Sequence, residues 1–277
     1  MAHPARESPA SEELDVDAAL TLLSVGDLEI EGRLVDASNT TLYTSVTLDG
    51  VSAGAVYKPV RGERPLWDFP DGTLAGREVA AYAVARATGW GLVPPTVLRD
   101  GPLGVGMCQL WITSEDISGL VDILPRDALP PGWRPVVGGV DDGGHEVVVA
   151  HADDDALRRL AVLDAVLNNA DRNGGHLLLT AGGTLFGVDH GVSFHAEPKL
   201  RTLLWGWAGD PLPADTLSAL ASLSDSLSAD GPLATRLAQL LTAAEVEALR
   251  GRVDALSGAG RHPVPSGEWP AIPWPPV

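Results

Sequence analysis

Positive charge, sulfur and long apolar runs are all scarce in this sequence, and each scarcity excludes something. Nineteen Lys and Arg stand against 37 Asp and Glu, a formal net charge of −18 and a pI near 4.6. A chain this acidic is not built to grip nucleic acid or an anionic lipid surface. The single cysteine, Cys108, excludes an internal disulfide framework and a zinc site made of several thiolates, and it fits a reducing, cytoplasmic setting. No apolar run approaches the ~20 residues that span a bilayer. The opening MAHPARESPASEELD has no apolar centre, so residues 1–14 are expected to be a disordered arm rather than a secretory signal. There is no internal repeat. What is abundant is apolar residues, 45% of 277, enough to bury a core in one large domain or two smaller lobes.

Two further scarcities concern placement. Only two lysines occur, Lys58 and Lys199, and only four asparagines, three of them at 168, 169 and 173. Codon bias accounts for the overall depletion but not for a lysine inside the strand-like run GAVYKPV or for three asparagines in six residues. Arg does not reproduce a compact ammonium, and Asp does not reproduce a neutral amide. These positions are candidates for chemistry.

Along the chain, residues 15–25 read as a short helix. Two alternating runs joined by Asp36-Ala37-Ser38-Asn39-Thr40 read as a hairpin, and GAVYKPV, after the Asp49-Gly50 turn, as a third strand. An Ala-rich helix is expected from about 76 to 88, ended by Gly89, followed by strands VPPTVLRD and VGMCQLWI. The Pro- and Gly-rich stretch 114–152 reads as a loop excursion with short strand pieces. Asp154 caps an amphipathic helix running to the paired asparagines. Then come the loop ADRNGG, a small hairpin (HLLLT, TLFGVDH) and helices at about 214–228 and 232–257. The tail PVPSGEWPAIPWPPV, residues 263–277, is expected to lie extended against the surface. The fold class is α+β: an antiparallel sheet with one helix, then a mostly helical half.

The pieces DASNTT, VYKP, REVAAY, GMCQLWI, NNADRNGGHLL and FGVDHG occur in an order that resembles a protein-kinase-like phosphotransferase. They are most similar to bacterial, actinobacterial proteins of the phosphatidylinositol 3/4-kinase-like fold, over roughly residues 26 to 210. The resemblance implies a nucleotide-binding lobe at 15–112 and a catalytic lobe at 113–262, hinged near Trp111, with ATP and Mg²⁺ or Mn²⁺ between them. Lys58 would then anchor the phosphates, oriented by Glu78 on the following helix. Ser38, Asn39 and Thr40 would present N–H and hydroxyl groups to phosphate, in the role of a glycine-rich loop but without its glycines. Gln109, Leu110 and Trp111 would flank and pair with adenine. Asp171 would take the proton of the attacking hydroxyl, and Asp189, in Val-Asp-His-Gly, would hold the metal.

One departure bears on the metal. Lipid kinases of this fold carry Asp-Arg-His-x-x-Asn, whereas this chain reads Asp171-Arg172-Asn173-Gly174-Gly175-His176. The second ligand is therefore His176 by position or Asn173 by chemistry, and imidazole suits Mn²⁺ better than Mg²⁺. The expected partners are a nucleotide and a protein or small soluble hydroxyl acceptor, with no nucleic acid and no stable membrane association, since no basic cluster is present. Transfer of AMP rather than phosphate stays open. Two alternatives stand beside this reading: a nucleotide-binding regulatory module without turnover, and a metal-dependent hydrolase built on His176, Asp189, His190 and His195.

Overall fold

The structure, a computed structural model, describes residues 14–34, 39–70, 73–228, 231–268 and 270–277. The first helix, α1 (Val16–Val25), starts where the Asp15 carboxylate accepts the Ala18 N–H at 2.8 Å. Five strands follow: β1 (Asp27–Arg33), β2 (Leu42–Leu48), β3 (Val51–Pro59), β4 (Thr96–Gly101) and β5 (Gly104–Leu110). They form one antiparallel sheet in the order β1-β2-β3-β5-β4. Asp49 and Gly50, both at positive φ, make the two-residue turn whose twist suits a hairpin.

Strand periodicity sorts β3 between two environments. Ala53 and Ala55 pack with Cys108 and Leu110 against Ala19, Leu22 and Leu23 of α1. Lys58, an odd number of residues on, points to the other face. There the helix α2 (Leu74–Thr88) crosses the sheet; it is buried on nearly every side, which accounts for its run of alanines. It ends at Gly89, at φ 73°, as the glycine implied.

The stretch 114–152 departs from expectation. It is a second antiparallel sheet, β6 (Val121–Pro125), β7 (Trp133–Val140) and β8 (Glu146–Ala152), in the order β6-β8-β7. Two of its four prolines sit on the edge strands, Pro125 at the end of β6 and Pro135 beside a register shift in β7, while Pro130 and Pro131 lie in the connection between them. Edge positions tolerate a missing N–H, so a proline-rich segment can still be sheet.

Asp154 caps α3 (Asp155–Leu167) through the Ala156 and Leu157 N–H groups, and Asn168 closes it in the left-handed region at φ 55°. The hairpin β9 (Leu177–Leu179) and β10 (Leu185–Gly187) follows. The expected helix at 232–257 is two, α5 (Pro232–Leu237) and α6 (Ala243–Ala259), after α4 (Ala214–Ser226). The break is a capping box: Thr242 N–H donates to Glu245 Oε2 at 2.8 Å while Glu245 N–H donates to Thr242 Oγ1. Helices α2 to α6 share the main core, with Leu160, Leu163, Leu220 and Leu249 fully buried. The tail crosses to the loop after α3: Ala271 O accepts from Thr202 N–H and Trp205 Nε1–H, and Pro276 O accepts from Gly174 N–H. Among the described residues no helix is long and apolar enough to cross a membrane.

Candidate active site

Three elements distant in sequence converge on one ammonium group. Lys58 Nζ, from β3, lies 2.7 Å from Glu78 Oε1 on α2 and 3.0 Å from Asp189 Oδ1 just past β10. The second Glu78 oxygen accepts the His190 N–H at 2.8 Å, so one carboxylate ties α2 both to β3 and to the Asp189 loop. Burial pulls the Lys58 pKa down, but Asp189 and Glu78 outweigh it and hold it above the usual lysine value. Lys58 in turn, opposed by burial and helped by His176, holds the Asp189 carboxyl well below the carboxylate range. Asp189 sits at φ 60°, a left-handed conformation that costs about 1 kcal/mol in a non-glycine residue and is characteristic of functional loops.

The loop after α3 brings up the other groups. Asp171 N–H donates to Asn169 Oδ1 at 2.9 Å, while Asn169 Nδ2–H donates to Asp164 Oδ1. Burial raises the Asp171 carboxyl above its ordinary value, the negative Asp189 adding to the effect and His176 and Arg201 opposing it. The guanidinium of Arg201 stands 3.5 Å from Asp171 Oδ1. His176 Nδ1–H donates to the Asp171 carbonyl at 2.7 Å, because a carbonyl can only accept. Its Nε2 therefore faces Asp189 Oδ2 at 3.4 Å. A lone pair so directed, with the other ring nitrogen fixed by a carbonyl, is the usual posture of a metal-ligating histidine. Asp189 and His176 are thus the two side chains here that could hold a divalent cation, and among the described residues no third His, Cys, Asp or Glu joins them in a metal-binding group. The Asn173 side-chain amide makes no hydrogen bond to either aspartate among the described residues; the Asn173 backbone carbonyl accepts from His176 N–H in a short turn.

Beneath the loop lies a fully buried web absent from the sequence reading. Arg172 pairs with Asp164 at 3.0 Å, donates to the His176 and Val188 carbonyls, and reaches His190 Nε2 at 2.7 Å. Burial, then Arg172, keeps His190 neutral by holding it well below the ordinary histidine value. The adjacency of Arg172 to Asp171 was the only sequence signal for this web.

Other expected residues fall as follows. Ser38 lies outside the described residues. Asn39 and Thr40 pack against the segment just after Lys58: Asn39 Oδ1 accepts from Arg64 N–H at 2.8 Å, and Thr40 N–H donates to Gly62 O. Gln109 is buried and spends its amide on Thr96 Oγ1. The N–H groups of Leu110 and Trp111 donate to Pro95 and Gly54 carbonyls, so neither is open to a base, because β5 is a central strand. Leu110 and Trp111 line a cavity of about 840 Å³ with Tyr82, Arg86 and Phe186, but Lys58, Asp171 and Asp189 are not in its wall. The four residues of the hydrolase alternative do not converge: His190 is turned onto Arg172, and His195 stacks edge-on against Phe69 and accepts from Glu197 N–H.

Fold and site together define an α+β protein in which a Lys–Glu–Asp charge cluster joins an antiparallel sheet to a mainly helical half, with a second aspartate on an adjoining loop. The chain belongs to the family of protein Rv2133c of Mycobacterium tuberculosis, with which it is 51% identical over 263 residues, 92% of this chain and 94% of that protein. No family profile matches the chain. Its structure is similar to that of a Golgi casein kinase, with a TM-score of 0.47 and 15% identity over 88% of this chain and 75% of the other. It is also similar to the Helicobacter pylori proinflammatory kinase CtkA, with a TM-score of 0.44 and 11% identity over 86% and 94% of the two chains.

Proposed function

We propose that the protein is an ATP-dependent phosphotransferase of the phosphatidylinositol 3/4-kinase-like type, with its nucleotide between a lobe at 15–112 and a lobe at 113–262. The observation that carries this reading is the Lys58 ammonium held between Glu78 at 2.7 Å and Asp189 at 3.0 Å, across 131 residues of chain. A strand lysine oriented by a helix glutamate, beside a loop carboxylate, is the arrangement that positions a polyphosphate. In this role Lys58 neutralises phosphate oxygens, and Asn39 and Thr40, packed against the segment just after Lys58, cover the phosphates. The nucleobase edge shifts downstream of Trp111, to Ile112 and Thr113, since the preceding N–H groups are spent inside the sheet.

The reaction is an in-line displacement. The acceptor hydroxyl oxygen attacks the γ-phosphorus, the bond from that phosphorus to the β–γ bridging oxygen breaks, and ADP departs with the electron pair. Asp171 takes the hydroxyl proton; a carboxyl raised by burial is a better base for it. Three carboxylates (Glu78, Asp171 and Asp189) face two fixed cations, Lys58 and Arg201, so the site repels a polyphosphate unless a divalent cation accompanies it. Asp189 and His176 would hold that cation, Mg²⁺ or Mn²⁺, with Asn173 the remaining candidate ligand, and it supplies charge compensation for the phosphates. The acidic surface favours a protein or small soluble acceptor over an anionic membrane.

A second reading, nucleotide binding without turnover, rests on the exchanged loop residues, which set an imidazole where lipid kinases carry an amide. Incubation with γ-³²P-ATP and separately α-³²P-ATP, Mg²⁺ or Mn²⁺ and a panel of hydroxyl acceptors separates them. The γ label moves to acceptor or water in wild type, and Asp171→Asn lowers that rate by about 10²–10⁴-fold without weakening ATP binding. Label arriving from the α position would overturn the phosphotransferase assignment, and binding with no transfer would favour the second reading.

A further inference from the structure

Of the cations around Asp171 and Asp189, two have close partners already. Lys58 carries two carboxylates, and Arg172 is spent on Asp164, two carbonyls and His190. Arg201 is different. Among the described residues its one ionic contact, to Asp171 Oδ1, is long at 3.5 Å, beyond the usual N–H···O range, and its Nε is buried with no hydrogen-bond partner there. A buried guanidinium donor without an acceptor is costly unless something else supplies one.

Its backbone is by contrast firmly placed. Arg201 N–H donates to Asn169 O at 2.9 Å, Arg172 N–H donates to Arg201 O at 3.0 Å, and Leu203 N–H donates to Arg172 O at 3.0 Å. Segment 201–203 thus runs parallel to the Asp171 loop through the bridge of Arg172 with Thr202. On its far side Thr202 N–H is held by Ala271 O of the tail. The molecule fixes the main chain of Arg201 against the reacting loop and leaves the guanidinium under-used. Asp171 is where the acceptor hydroxyl and the γ-phosphorus meet in the proposed reaction, while Lys58 and Asp189 mark the rest of the polyphosphate.

We infer that Arg201 is a phosphate-binding residue that contacts the γ-phosphoryl group and so makes the site prefer a nucleoside triphosphate to the diphosphate. The inference rests on the proposed phosphotransferase reading. Arg suits the task because its planar fork meets two phosphate oxygens at once, which an ammonium cannot. It also supplies positive charge where the surrounding carboxylates would repel the terminal phosphate.

The test is calorimetric titration of the full chain with ATP and with ADP, each with Mn²⁺, for wild type, Arg201→Gln and Arg201→Lys. Wild type is expected to bind ATP more tightly than ADP. Arg201→Gln should lose about 10-fold or more in ATP affinity while ADP affinity stays within about twofold, with Arg201→Lys recovering part of the difference. Unchanged ATP affinity in Arg201→Gln would overturn the inference while leaving the nucleotide site intact. Equal loss of ATP and ADP binding would overturn it too, by showing Arg201 to be only a support for the Asp171 loop. Absence of any nucleotide binding by wild type would overturn both this inference and the reading beneath it.

Discussion

Glu78 uses both carboxylate oxygens, one for the Lys58 ammonium and one for the His190 N–H, at a site where its side chain is almost wholly buried. Glutamine keeps the shape but has a single acceptor, and its amide hydrogens would face one of two donors. Glu78→Gln is therefore expected to lower stability by about 1–3 kcal/mol, read as a shift in the denaturant midpoint at unchanged slope. An unshifted midpoint would show that the double acceptance contributes nothing. The meeting of Lys58 with Glu78 was legible in the sequence, because a rare lysine in a strand preceded a helix glutamate at a usable spacing. Arg201 was not legible: it is one of seventeen arginines, and only its hydrogen-bonded register to the Asp171 loop distinguishes it.

The loop after α3 depends on bonds that connect elements rather than on its own sequence. Arg172 and Asp164 are an ion pair with no solvent exposure on either side chain, so removing one partner strands the other. Arg172→Met should cost about 3–5 kcal/mol, and the double variant Asp164→Leu/Arg172→Met should recover part of that loss. Thermal unfolding of the three proteins decides it; a double variant worse than the sum of its parts would contradict the account. The tail holds the same loop from outside, through Pro276 O and the packing of Val277 on Gly174, where even a Cβ would come within 2.7 Å of the valine. Deleting residues 270–277 is expected to speed hydrogen exchange at the Gly174 amide by about tenfold or more, an opening cost of at least one lost hydrogen bond. Unaltered exchange would mean that the tail does not brace the loop. Helix starts with a polar cap, and strands with clean alternation, were legible in advance. The second sheet was not, because proline at an edge looks the same in sequence as proline in a loop, and the split between α5 and α6 depended on a capping box inside an apolar pattern.

Across the molecule, two imidazoles pack against Trp207, His151 of β8 with ring centroids 4.2 Å apart and His262 at 6.1 Å. Arg134, Arg158, Asp153 and Asp210 surround them. Burial, with the arginines assisting, lowers both from the ordinary 6.5 to about 4. The unfolded chain therefore binds more protons between those values, so their contribution is complete above pH 6.5 and is lost as the pH falls towards 4. Each group should withdraw about 2–3 kcal/mol over that window. Urea melts at pH 7 and pH 5 should show the drop, and His151→Gln/His262→Gln should flatten it. An equally steep fall in the double variant would assign acid sensitivity elsewhere.

The charge of −18 gives the active-site reading its sharpest consequence, since a protein this acidic binds a polyphosphate only through a local cationic site and a metal. Calorimetric titration of ATP into the wild type, Lys58→Met and Asp189→Ala, with Mg²⁺ or Mn²⁺ and again with EDTA, measures this directly. The account predicts saturable binding of one nucleotide per chain that requires the divalent cation and is weakened at least about tenfold by each substitution. No binding by the wild type, or binding indifferent to both substitutions, would contradict it.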